Sequence, residues 1–143
     1  HKEYRRQRQM CIRDRAYTAS KRWTKSEVFD RAQRDFFPDA TSIKRLGHNR
    51  HRVEAGDKVA YFLHTSPIVV FDKRERTLTI DLRGWKTLTT RKAIRQFVGQ
   101  FDRSGSVACW AERGGMTRLN VGTASYLFDD SVTIEVDEEG YVK

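Results

Sequence analysis

The residues of this chain whose types and spacing could do chemistry are gathered in one short run, Gly84-Trp85-Lys86-Thr87-Leu88-Thr89-Thr90-Arg91, continued by Lys92. A glycine-tryptophan corner here feeds the first turn of a helix. A helix start presents unpaired amides and about half a unit of positive charge, which suits an anion. Thr87, Thr89 and Thr90 add hydroxyl donors, and Lys86, Arg91 and Lys92 add cations. Trp85 offers a flat face to a base or a guanidinium. His64 is expected nearby, at the end of an earlier strand. The chemistry such a set performs is recognition of phosphate, on a nucleic acid or a nucleotide. The competing reading is a plain helix cap, with Thr89 or Thr90 as N-cap, Trp85 in the core and the cations solvated; caps are commoner than sites.

Three other constellations carry weaker signals. His48-x-x-His51 with His64 holds imidazoles that suit zinc, but the pair reads as lying in a loop, and no Cys or acid stands at ligand spacing. Cys109, within Val-Ala-Cys-Trp-Ala, reads as a small packed side chain on a strand rather than a nucleophile, which would need a neighbouring base. Tyr61, Phe62, Phe71, Trp110, Tyr126 and Phe128 fall on strands, where aromatics either form core or, when exposed, stack bases. Phosphate-loop, dinucleotide, nucleophile-elbow, zincin and deaminase signatures are absent from the sequence. No catalytic residue, metal or cofactor is therefore expected.

The elements that must position the corner follow from periodicity. Thr24-Lys25-Ser26-Glu27 fits a capping box, and Val28, Phe29, Ala32 and Phe36 recur at helical spacing until Pro38. Residues 39–52 read as a polar connector. Strands are expected over Lys58–His64, Ile68–Phe71 and Thr77–Leu82, the last with Leu78, Ile80 and Leu82 facing inward. The second helix is expected from about Thr90 to Phe101, with Ile94, Phe97, Val98 and Phe101 on one apolar stripe. Four short strands follow, at Val107–Glu112, Thr117–Val121, Ser125–Phe128 and Val132–Val136. The order predicts an α+β fold: a mainly antiparallel sheet of about six to seven short strands, one helix packed on a face and an N-terminal helix.

A chain of 143 residues with 38% hydrophobic content can bury a core without disulfide or metal. Its net charge of +9 is uneven. Residues 1–23 form a basic arm with eight Lys/Arg against two acids, whereas residues 24–143, read as a single domain, carry 20 against 17. Residues 1–15, with Gln9-Met10-Cys11-Ile12-Arg13-Asp14-Arg15, read as a non-native scar resembling translated adapter read-through, the alternative being a basic arm that touches phosphates. Two cysteines give no disulfide framework, and no apolar run is long enough for a membrane span. A cytoplasmic protein without a membrane partner is expected.

The strings Leu63-His64-x-x-x-x-Ile68-Val69 and Gly84-Trp85-x-Thr87-x-Thr89-Thr90-Arg91 resemble a group of small uncharacterised proteins of tailed phages and phage-like metagenomic contigs, over about residues 53–130. The resemblance implies a phage-encoded accessory protein working in a bacterial host cell. It carries over no activity and no catalytic residue. The expectation is a non-enzymatic protein binding nucleic acid, a nucleotide or another phosphate-bearing ligand at the corner. The alternative is a protein-binding or scaffold module aimed at a host or phage protein.

Overall fold

Thr24 and Glu27 close the expected capping box: the Glu27 amide donates to Thr24 Oγ1 at 3.2 Å, and the Thr24 amide donates to Glu27 Oε1 at 3.2 Å. They open helix α1 (Lys25–Arg31) in the computed structural model, which describes residues 21–143. The proposed scar, and most of the basic arm, lie outside the described residues. Beyond α1 the chain makes one π-helical turn, Ala32–Phe36, sealed by the Phe37 amide on the Ala32 carbonyl at 2.6 Å. Pro38 has no amide to continue it.

Nine strands follow, two more than expected: β1 (Ala40–Gly47), β2 (Arg50–Ala55), β3 (Lys58–Leu63), β4 (Ser66–Asp72), β5 (Thr77–Asp81), then helix α2 (Leu88–Gly99), β6 (Val107–Ala111), β7 (Thr117–Val121), β8 (Ala124–Phe128) and β9 (Ser131–Glu135). The fold is α+β, with all strand pairs antiparallel. One sheet has six strands in the order β1-β2-β3-β4-β5-β9, and the other has three in the order β6-β7-β8.

The expected connector over 39–52 is instead the β1–β2 hairpin. Its first strand is an edge strand whose pairing is irregular at two places, between Ala40 and Ser42 and between Arg45 and Gly47. Those irregularities break the two-residue alternation that marks a strand. Helix α2 likewise begins two residues before Thr90, because Thr87, and neither Thr89 nor Thr90, is its N-cap.

Alternation along β3 splits the core into two layers. Val59, Tyr61 and Leu63 point to one side, where they pack with Leu78, Ile80 and Leu82, the α2 stripe, and Cys109, Leu119, Val121 and Phe128 of the small sheet. Ala60 and Phe62 point to the other side, with Val28 and Ala32, Val53 and Ala55. Phe36 and Phe37 both set their rings edge-on to Phe62, at 6.0 and 6.3 Å between centroids. Ile94, Phe97, Val98 and Phe101 are buried as expected, with Phe97 5.4 Å from the Tyr61 ring. Among the described residues no helix is long and apolar enough to cross a membrane.

Candidate nucleic-acid interface

The corner is built by a tight turn. Arg83 and Gly84 both take positive φ, 55° and 78°, and the Trp85 amide closes on the Leu82 carbonyl at 2.9 Å. Two successive positive φ values are the signature of a type I′ turn, which favours glycine at the second position. The turn is stapled to the loop between β8 and β9. The Leu82 amide donates to the Asp130 carbonyl at 2.8 Å, and the Gly84 amide to Asp130 Oδ1 at 2.9 Å.

Several of the expected site residues are committed to this corner's framework. Lys86 donates through Nζ to the Gly115 carbonyl at 2.8 Å and pairs with Asp129. Thr87 Oγ1 accepts the Thr90 amide at 3.3 Å and sits 3.0 Å from Thr90 Oγ1, with Thr90 itself buried. Thr89 is half-buried on the first turn of α2. His64 lies in the β3–β4 turn with φ 56°, and its amide donates to the Asn49 carbonyl at 2.8 Å, a tie to the β1–β2 turn.

The remaining expected residues face outward. Trp85 is 40% exposed, not core, and Leu88, one helical turn on, is 51% exposed. Arg91 curls back so that its guanidinium lies 3.4 Å from the Lys86 carbonyl, one peptide away from the indole. Lys92 is exposed on the same side of α2. Neither Arg91 nor Lys92 has an acidic partner among the described residues; α2 contains no Asp or Glu that could supply one.

The structure adds residues that sequence reasoning missed. Arg95 continues the exposed face of α2. Gln96 next to it accepts from Arg50 and donates to the Leu46 carbonyl at 3.4 Å, which ties α2 to the β1–β2 hairpin. That hairpin carries exposed Lys44, Arg45 and His48 with Arg50. Two segments, 40–53 and 82–101, contain no acid at all, and the fold lays them side by side. The absence of acids was readable from the sequence; the adjacency was not.

The other sequence candidates resolve differently. His51 is on β2, not in a loop, and is buried in the α1-side layer, while His48 is exposed in the turn. Neither ring nitrogen of His51 meets a hydrogen-bond partner among the described residues. Burial holds its imidazole below the ordinary value of 6.5, and the positive charges of Arg45 and Lys25 push the same way. Among the described residues no group of three or more His, Cys, Asp or Glu could hold a metal ion. Cys109 is buried on β6, and desolvation pushes its thiol up to about 11. Of the strand aromatics, Tyr61, Phe62 and Phe128 are core, Phe71 and Tyr126 pack at its margin, and Trp110 is 41% exposed. Trp110 stands opposite Arg118, which stands opposite Leu127, across the outer face of the small sheet.

A cleft of about 320 Å³ opens at the other end of the large sheet, between the start of β5 and the end of β9. It is lined by Glu75, Arg76, Glu135, Asp137, Glu138 and Lys143. Its cations are paired, Arg76 with Glu138 and Lys143 with Glu135, both at 3.4 Å. Comparison with protein-family models, curated proteins and solved structures finds no match.

Proposed function

We propose that this protein binds nucleic acid through the acid-free face formed by α2 and the β1–β2 hairpin, as an accessory protein of phage type acting in the cytoplasm of a bacterial host. One observation carries the reading. Arg91, Lys92 and Arg95 of α2 and Lys44 and Arg50 of the hairpin share a surface and have no ion pair among the described residues. Elsewhere about half of the described cations are matched to carboxylates, as in Arg52–Glu54, Arg118–Glu112 and Lys86–Asp129. Unmatched, clustered positive charge is the electrostatic footprint of a phosphate-backbone reader. Lys86, Thr87 and Thr90 then shape the corner, while Arg91, Lys92 and Trp85 meet the ligand.

The test is a salt titration. Lys44, Lys92 and Arg95 are replaced together by alanine in the full chain, so that the basic arm is identical in both proteins. Affinity for DNA and RNA should fall, and the slope of log affinity against log salt should flatten by about one for each phosphate that is no longer neutralised. A triple variant with the affinity and slope of the parent sinks the proposal.

A second reading, a protein-binding module, is favoured by a different surface. Trp110 and Leu127 are 41% and 47% exposed on the outer face of the small sheet. An exposed tryptophan beside an arginine is the composition of a protein interface core.

A further inference from the structure

The indole of Trp85 is held out to solvent by a corner that is otherwise tied down on all sides. Its own amide is bonded to Leu82, its carbonyl accepts the Thr87 amide at 2.9 Å, and its neighbours Gly84 and Lys86 are fixed to Asp130 and Asp129. The ring is therefore presented by a rigid support. Leu88 extends the apolar surface, and Arg91 begins a cation row that continues through Lys92 and Arg95. A duplex offers such a row its phosphates but keeps its bases stacked inside, with no face for an indole. An unpaired strand offers both. We infer that the acid-free face takes single-stranded nucleic acid, with a base stacked on Trp85 and the backbone phosphates on Arg91, Lys92 and Arg95. This rests on the nucleic-acid reading above and narrows it. The Thr90 amide is not part of the site, since Thr87 already occupies it.

The experiment measures binding of the full chain to labelled oligothymidylate and oligouridylate of about 12 nucleotides, and to a duplex of the same length. The single strands should bind more tightly than the duplex. Trp85→Ala should weaken single-strand binding roughly tenfold and leave duplex binding unchanged, because one base–aromatic stack is removed. Trp85→Phe should keep most of the affinity. As a second measurement that does not depend on Trp85→Ala folding, Trp110→Phe leaves Trp85 as the exposed indole. Its fluorescence should be quenched by the single strands and not by the duplex. Equal affinity for duplex and single strand, or a Trp85→Ala effect that is absent or the same on both, overturns the single-strand assignment. If those outcomes come with cation-dependent duplex binding, the broader proposal stands. If no nucleic acid binds, or if Lys92 and Arg95 can be removed without loss, both fall.

Discussion

The two ends of the charge distribution are built on opposite rules. At the acidic end, around β9 and the last residues, each nearby cation has a carboxylate: Arg103 with Asp137 and Glu139, Arg76 with Glu138, Lys143 with Glu135. Backbone amides add to this; those of Glu139 and Tyr141 both donate to Asp137 Oδ1 at 2.9 Å. On the α2–hairpin face the cations have no such partners; Arg50 bonds a neutral glutamine and Arg91 a backbone carbonyl. Charge at the acidic end is consumed in holding the chain together. Charge on the basic face is answered by no carboxylate and is left for something outside the fold.

The largest way to break this contrast is to remove the platform under the basic face. Phe97→Ala empties a fully buried position between α2 and Tyr61, and should cost roughly 3–5 kcal/mol of stability, read by denaturant unfolding. Nucleic-acid binding should disappear with it. A variant of parental stability would mean that α2 is not anchored by this stripe.

Acid should then separate the two regions by pH. His51 lies beneath the basic hairpin, with Arg45 opposite it on β1, Lys25 on α1 and the uncharged Phe62 opposite on β3. Its folded pKa is lowered, so the unfolded chain binds the extra proton. Stability from this group is complete above about 6.5 and is lost as pH falls below that value. Asp102 and Asp137 are held below the ordinary 3.8, chiefly by the Ser104 hydroxyl and the Tyr141 amide respectively. Their contribution is present above 3.8 and is lost only on further acidification. Melting temperature followed from pH 7 to 5 should therefore fall in the parent and stay flatter in His51→Phe. Parallel curves would show that His51 is not the group responsible.

The smallest effects sharpen the contrast most directly. Arg103→Ala should lower the melting temperature slightly, and high salt should erase the difference, because exposed ion pairs are weak and screened. Lys92→Ala with Arg95→Ala should leave it unchanged or raise it slightly, since only like-charge repulsion is removed. A clear drop in the second case would mean that these cations serve the fold after all.

Much of the scaffold was legible because it follows local rules. The Thr24–Glu27 box, the inward Leu78, Ile80 and Leu82, and the α2 stripe each depend on spacing within one element. The β1–β2 hairpin was not legible, because its outer strand is polar, exposed and irregular in register, so period-two alternation never develops. The corner was only half legible. That donors and cations converge there is written in the sequence. That Lys86 is answered by Asp129, 43 residues away, is not, because an ion pair leaves no local periodic trace. The direction of Trp85 was also hidden, since composition does not say which side of a turn an indole takes.

The pairing of β5 with β9 has a consequence for how the molecule comes into being. Thr79 and Thr133 meet across that pair at 3.1 Å, although 54 residues separate them. At about 5–20 residues per second, synthesis leaves β5 as an open edge for roughly 3–10 s before its neighbour is made. Helix α2 and the small sheet are completed in that interval, as an insertion between two strands that belong side by side. The first five strands must wait as an unfinished sheet, and β9, made after all of them, is the strand that covers the open edge.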